Sequence, residues 1–371
     1  MSMRIAHLAD VHLDRPFASL PGGKGERARS RLREAFCRCV NVARDRDADL
    51  ITIGGDLWED ENVRIDTRRF VAHQLERAER PVLIICGNHD PYTPGGNYQR
   101  TEWPENVTVF DGSELTERTF EGVSVWGVSW TGGRLDAGFL DRFAPPGDGR
   151  HVLLVHGTSQ PVAYFAEQSE HCPFDPHAVT RAGFDLCLAG HIHRASHRHG
   201  VVYPGSPEPL GWGETGDHCV AVIDVADSIE VELVPVNEHR YEEATVDCAG
   251  CESSAEIEER LHAGIAGKRG EDVHLRVTLE GEIDEHCVVA PSLLADAPSE
   301  GFAELIVSDS THPAFDLDHL ERQETVRGLF VADLRERVRS TGDERERERL
   351  ERALHAGLRA LAGREDVIGV D

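Results

Sequence analysis

Short apolar runs alternate with longer amphipathic stretches through the first two thirds of the chain. RIAHLA (4–9), DLITIGG (49–55) and PVLIICG (81–87) are aliphatic and β-branched, each is closed by a turn signal, and they predict buried strands. Between them, ERARSRLREAFCRCVNVARDRD (26–47) sets Leu32, Ala35, Phe36, Val40 and Ala43 on one helical face. TRRFVAHQLERAE (67–79) predicts a second helix. Strands separated by helices in this rhythm imply a mainly parallel sheet with helices on its faces. SVWGVSW (124–130), HVLLVHG (151–157) and DLCLAG (185–190) continue the strands. VVYPGSP (201–207) and HCVAVIDV (218–225) read as a closing β-hairpin, with SIEVELVPV (228–236) following.

The style changes after about residue 237. YEEATVDC, the amphipathic SSAEIEERLHAGIAG, VHLRVTLEG, a short helical stretch and FAELIVSDS predict a small βαβ(α)β unit. Beyond it, Leu320, Val326, Phe330, Leu334 and Val338 share one helical face, as do Leu350, Leu354, Leu358 and Leu361. Two short amphipathic helices are expected to need a surface to dock on, either the unit before them or a partner. Three parts follow: 1–236, 237–312 and a helical tail at 313–371.

The predicted strands end alike. The first ends in Asp10-Val11-His12, the second in Gly54-Gly55-Asp56 and the third in Gly87-Asn88-His89-Asp90. Later strands end in His156-Gly157 and in Gly190-His191-Ile192-His193. Ligands of open α/β sheets bind at the carboxyl ends of strands. Carboxylate, imidazole and amide carbonyl are donors that divalent metals use. One such piece alone would be a turn or a buried histidine; five in succession, each capping an apolar strand, point to a metal centre.

The order DxH, GGD, GNHD, HG, GHxH resembles the calcineurin-like metallophosphoesterases. Within them, DVHLDRPF (10–17) and YPGSPEPLGWGETGDH (203–218) resemble the SbcD-type and YhaO-type DNA-repair exonucleases. The resemblance implies an α/β core of β-sheets flanked by helices over about 3–236, followed by a small α+β capping domain and the helical tail. It implies two divalent ions, with manganese the usual choice. Asp10, His12 and His193 would hold one ion, Asn88, His156 and His191 the other, and Asp56 would bridge them. His89 would contact the scissile phosphate and assist the leaving oxygen as general acid. Asp90 either orients His89 or caps the turn. Where archaeal and eukaryotic relatives place a histidine three residues after the bridging Asp, this chain has Glu59, so their end-processing polarity does not transfer. The implied activity is hydrolysis of DNA phosphodiester bonds, as exonuclease or endonuclease in DNA repair. The implied partners are DNA and a coiled-coil ATPase of the SbcC type gripped by the tail, with a homodimer left open. The alternatives are a small-molecule or cyclic-nucleotide phosphodiesterase and a phosphomonoesterase on the same dimetal core.

Charge complicates a DNA substrate. Asp and Glu total 67 against 39 Lys and Arg, a net charge of −28, and such a surface repels polyanions at long range. It reads as a solvated face adapted to high salt or shaped by a GC-rich genome. DNA contact would then fall to arginines local to the cleft: Arg15, Arg29, Arg33 and Arg194. Trp58, Tyr92, Tyr98 and Trp103 lie near the predicted site loops, with core packing the default and base stacking the sharper reading. His197 and His199 repeat the HxH spacing in a polar loop and read as an exposed pair. Nine scattered cysteines, the Cys248/Cys251 pair among them, read as reduced thiols. With no apolar run of membrane length and no secretory leader at the N-terminus, a cytoplasmic, membrane-free protein is expected.

Overall fold

A computed structural model describes residues 2–18, 23–132, 139–140, 143–144, 149–160, 172–296 and 298–361. Residues 362–371 of the expected tail lie outside that set. The chain divides by its contacts into two compact units, Met1–Glu242 and Glu243–Asp371.

The first unit begins with β1 (Met3–Leu8), α1 (Lys24–Asp45), β2 (Leu50–Gly54), α2 (Ile65–Arg77), β3 (Val82–Ile85), α3 (Asn97–Arg100) and β4 (Val107–Val109). It continues with β5 (Thr116–Phe120), β6 (Val123–Gly127), β7 (Arg150–His156), α4 (Pro176–Arg181), β8 (Leu186–Gly190), β9 (Ser196–Arg198) and β10 (Val201–Tyr203). β11 (Cys219–Val225) and β12 (Ile229–Pro235) close it. The strands divide between two sheets, ordered β12-β11-β1-β2-β3-β4 and β5-β6-β7-β8-β10-β9. β1 to β4 pair in parallel, as do β6, β7 and β8. Ile5, Leu50, Leu83 and Ile85 of one sheet and Val125, Val152, Leu154 and Leu188 of the other form one buried cluster, so the sheets pack face to face. The outer face of the first sheet buries Leu32, Phe36 and Val40 of α1 and Val71 and Leu75 of α2. Strands covered on both faces must be apolar at every position, which is why they read as continuous runs.

One expectation fails here. β10 and β11 do not form a hairpin: β10 pairs with β8 and β9, whereas β11 pairs antiparallel with β1 and β12. The hairpin is β11–β12. Both runs are apolar and fit either sheet, and the Pro- and Gly-rich segment between them carries the chain from one sheet to the other.

β13 (Arg240–Asp247) starts three residues before the second unit, which otherwise holds α5 (Ser254–Ile265), β14 (Gly270–Glu280), β15 (Glu282–Asp284), α6 (Pro291–Asp296), β16 (Phe302–Asp309) and β17 (His312–Ala314). β13, β14 and β16 form one sheet, and β15 pairs with β17. Ile257, Leu261 and Ile265 of α5 pack on Val273, Leu275 and Val277 of β14. Cys248 and Cys251 are buried in that core as free thiols. The helices α7 (Leu317–Glu321), α8 (Val326–Ser340) and α9 (Glu344–Leu361) share a small core of Leu320, Val331, Leu334, Leu354 and Leu358. Val326, expected on the buried face, is 73% exposed, and Val331 takes its place. Val326 opens α8, ahead of the turns that pack. Among the described residues no helix is long and apolar enough to cross a membrane.

Candidate metal centre and active site

Asp10 (φ 54°), His12 (φ 50°), Asp56 (φ 50°) and His191 (φ 100°) adopt backbone angles that residues bearing a side chain seldom take. Such angles persist where surrounding contacts over-determine them, and they gather at functional sites. Past β1 the chain runs beside the segment after β2: Asp10 N donates to Gly55 O at 3.1 Å, His12 N to Asp56 O at 3.0 Å and Leu13 N to Leu57 O at 3.1 Å. Buried Asp90 clamps the loops after β2 and β3. Its carboxylate accepts from Asp56 N (3.0 Å), Leu57 N (2.6 Å), Gly87 N (2.6 Å) and the Tyr98 hydroxyl (2.6 Å). Turn capping is therefore the role its hydrogen bonds show, and none of them reaches the His89 ring. Gly87 and Gly190 are required by close approach: a Cβ at the first would meet Asp56 Oδ1, and at the second the Gly54 carbonyl.

These loops bring all seven candidate ligands together. The ligand atoms of Asp10, His12 and His193 lie within 4.8 Å of one another, as do those of Asp56, His156 and His191. Asn88 Oδ1 joins the second set, 2.9 Å from His156 Nε2 and 3.1 Å from His191 Nδ1. Asp56 Oδ2 stands between the sets, 3.6 Å from His12 Nε2 and 3.4 Å from His156 Nε2.

The hydrogen bonds around the rings decide what the site is built to hold. His12 Nδ1 donates to Glu59 at 3.0 Å and His193 Nδ1 to Glu214 at 2.6 Å. In the neutral rings both Nε2 atoms are then bare, yet they face each other at 3.2 Å. His156 Nδ1 donates to Gly54 O at 2.8 Å, which leaves its Nε2 bare against Asn88 Oδ1. Lone pairs opposed at these distances repel unless positive charge sits between them. The donor set, convergent and buried except at the half-buried Asn88, His191 and His193, fits divalent cations, and each backed imidazole follows the habit of metal-binding histidines. The electrostatics agree. Burial raises the Asp56 carboxyl, but the charge and hydrogen bond of His156 and the charges of His12 and His89 outweigh it and hold it below the usual range. Burial lowers His156, but Asp56 and Asp10 carry it up to about 9. The site draws cations, protons included.

His89 stands apart, its side chain 43% exposed. Its backbone N donates to Asp56 Oδ1 at 2.9 Å and its Nδ1 to Glu59 at 2.9 Å. Glu59 thus backs both His12 and His89; burial raises its carboxyl, but those two hydrogen bonds together with the charges of the same rings outweigh it and hold it at about 2.

The candidate arginines separate. Arg15 lies 3.5 Å from Glu59 at the site's edge. Arg194 is exposed. Arg29 donates to Pro16 O at 3.1 Å, and Arg33 pairs with Asp66 at 2.8 Å, so both serve the α1 surroundings. Trp58 and Tyr98 are buried and pack on each other and on Trp103, and Tyr92 packs on the same core, so core packing prevails for all four. His197 and His199 are exposed. Sequence reasoning missed Glu214 altogether and met Glu59 only as a departure from the relatives' pattern. A carboxylate 21 residues from the histidine it backs leaves no spacing signal.

The chain matches the profile of the calcineurin-like phosphoesterases over residues 3–195. It is 27% identical over 348 residues to the uncharacterized metallophosphoesterase YhaO of Bacillus subtilis (strain 168), covering 89% of this chain and 80% of that protein. It is 27% identical over 273 residues to the DNA double-strand break repair protein Mre11 of Haloferax volcanii, covering 70% of this chain and 58% of that protein. Among solved structures, TT1561 of Thermus thermophilus aligns with a TM-score of 0.41 at 16% identity, over 63% of this chain and 99% of that one.

Proposed function

The chain belongs to the calcineurin-like phosphoesterase family, and from that premise we propose that it is a two-metal phosphodiesterase that hydrolyses DNA. The observation that carries this reading is the pair of convergent donor sets sharing Asp56, with a half-exposed imidazole beside them. Asp10, His12 and His193 would hold one ion, Asn88, His156 and His191 the other, and Asp56 would touch both. When bound, the ions supply Lewis acidity and acidify water, and the mixed oxygen and nitrogen donors suit manganese.

The chain's own residues do the rest. Glu59 accepts the Nδ1 proton of His89 and, ahead of every other influence, raises that ring's pKa. A raised pKa favours the doubly protonated ring, whose Nε2 proton can pass to the departing oxygen. Asp90 and the tight loops keep these groups in place without touching substrate. Arg15 and Arg194 stand ready for non-bridging or neighbouring phosphate oxygens. Support for a nucleic-acid substrate comes from the similarity to a relative named for double-strand break repair and from the SbcD-like stretches at 10–17 and 203–218. In this reading the protein is the nuclease subunit beside an SbcC-type ATPase in the cytoplasm. The second unit then meets the partner, with Val326 and Leu329 of α8 (73% and 69% exposed) as available apolar side chains.

The test offers the manganese-loaded chain end-labelled single- and double-stranded DNA beside bis(p-nitrophenyl) phosphate and phosphoserine. Labelled products are expected, and both chelator and His89→Asn should abolish them. Turnover of phosphoserine or the small diester with DNA left whole would overturn the reading in favour of a monoesterase or a small-molecule diesterase.

A further inference from the structure

A cleft of about 340 Å³ lies between α2 and the segment 100–104, lined by Arg68, Arg69, His73 and Arg100 together with Glu76 and Glu102. Ile65, Arg68, Arg69, Ala72, His73 and Glu76 recur along one face of α2, so a whole helical stripe looks into it. Among the described residues none of the three guanidinium groups has a carboxylate within ion-pairing distance, although Glu76 and Glu102 share the walls. Glu76 lies 3.9 Å from His73 instead. Arg68 Nε is buried, and among the described residues it has no hydrogen-bond partner. In a chain with 67 acidic against 39 basic side chains, chance favours capturing each arginine in an ion pair, as Asp66 captures Arg33 at 2.8 Å. Three guanidinium groups without a carboxylate in ion-pairing distance among the described residues line one cleft and can serve an anion from outside.

The cleft is tied to the active site. Its α2 wall starts where the loop bearing Glu59 ends, and its other wall leaves α3, which follows the loop bearing His89. Asn97 Nδ2 ties α3 to the loop that precedes α2 by donating to Asp60 O at 3.0 Å and Oδ1 at 2.8 Å, next to Glu59. Planar, forked donors suit the oxygens of a phosphoryl group. We propose that this cleft is a phosphate-binding site that holds a backbone phosphate of the substrate strand away from the scissile bond. The inference rests on the DNA-hydrolysing reading above. It also places the attraction for a polyanion in one positive cleft of an otherwise repulsive surface.

The test compares the wild-type chain with an Arg68→Gln/Arg69→Gln/Arg100→Gln triple variant and with the corresponding triple Lys variant, checking each for an unchanged melting profile. Hydrolysis of bis(p-nitrophenyl) phosphate, too short to span both sites, should stay within about twofold. For a single-stranded oligonucleotide KM should rise about tenfold or more. The slope of log affinity against log salt should flatten by about 0.7, the single-strand value for one phosphate no longer neutralised. The Lys variant should recover part of the affinity. Unchanged oligonucleotide binding and cleavage in the Gln variant would overturn the proposal. So would unchanged affinity with an altered sedimentation coefficient, which marks the face as a contact between protein chains. If the wild type cleaves no DNA, the nuclease reading falls by itself. Tripolyphosphate that then raises the melting temperature of the wild type but not of the Gln variant sustains the oxyanion site with free phosphates as its ligands, and no shift in either removes it.

Discussion

Oδ2 of Asp56 approaches His12 Nε2 to 3.6 Å and His156 Nε2 to 3.4 Å, so a single carboxylate serves both donor sets. Asp56→Ala should weaken both metal sites, whereas His12→Ala should weaken chiefly one; manganese titration checks this, and loss of one site only in Asp56→Ala would remove the shared position. His89 contributes no ring atom to either set, so His89→Asn should retain both ions while cleavage falls by about 10²-fold or more, the usual scale for a lost general acid. Loss of an ion by metal analysis would make His89 a ligand. Glu214 acts one step back, by fixing the proton on His193 Nδ1. Glu214→Gln keeps the shape but can turn its amide NH₂ toward that nitrogen, and metal affinity should fall about 10- to 100-fold, as for other groups that orient metal-binding histidines. Metal affinity equal to wild type would reduce Glu214 to a loop anchor.

At the scale of elements, β1 carries a polar group through the middle of the first unit. His7 is fully buried, with Nδ1 2.9 Å from the Thr52 hydroxyl and Nε2 3.2 Å from Ala189 O. Burial lowers its pKa from 6.5 to about 4, so the folded ring is neutral. Between these values the unfolded chain binds a proton that the folded chain refuses. The contribution is therefore complete above pH 6.5 and is lost as pH falls toward 4, by on the order of 3 kcal/mol. Urea unfolding in chelator at about pH 7 and about pH 4.5 should show a smaller acid loss for His7→Leu than for wild type, whatever their absolute stabilities. Equal losses would mean that the ring is protonated in the fold. The tail helices make a second case. Because α7, α8 and α9 share their own small core, Leu354→Ala should cost about 2–5 kcal/mol, seen as lost hydrogen-exchange protection across α8 and α9.

For the whole molecule, a net charge of −28 sets the terms on which DNA can bind. In the proposed DNA-hydrolysing reading, surface charge opposes approach, so few phosphates would be neutralised, and those near the metal centre and the arginine cleft. With manganese present and His89→Asn used to prevent cleavage, affinity for a DNA end should fall with salt at a log–log slope on the order of −2 to −4. Chelator should weaken binding sharply, since bound ions are the largest local positive charges. Binding indifferent to chelator would place DNA elsewhere on the molecule or on a partner.

Apolar runs and helical faces belong to a strip of chain, so β1, β2, β3, α1 and α2 were legible within a few residues of their ends. So were the ligand-bearing motifs, because each follows directly on a strand and the parallel order of the strands puts their carboxyl ends on one edge. Only the tertiary structure decided the rest, since it depends on contacts between distant segments. The partition of β10 and β11 between sheets turns on which apolar surface each meets, and either run satisfies both. Glu59 backs His12 across 47 residues and Glu214 backs His193 across 21, so neither pairing could be read from spacing. Arg68, Arg69 and Arg100 have no common signal in the sequence until folding sets them across one cleft, with no carboxylate in ion-pairing distance among the described residues. The sequence determined which chemical groups reach the end of each strand; the packing of two sheets and their loops determined which proton each imidazole keeps and where an anion can be held.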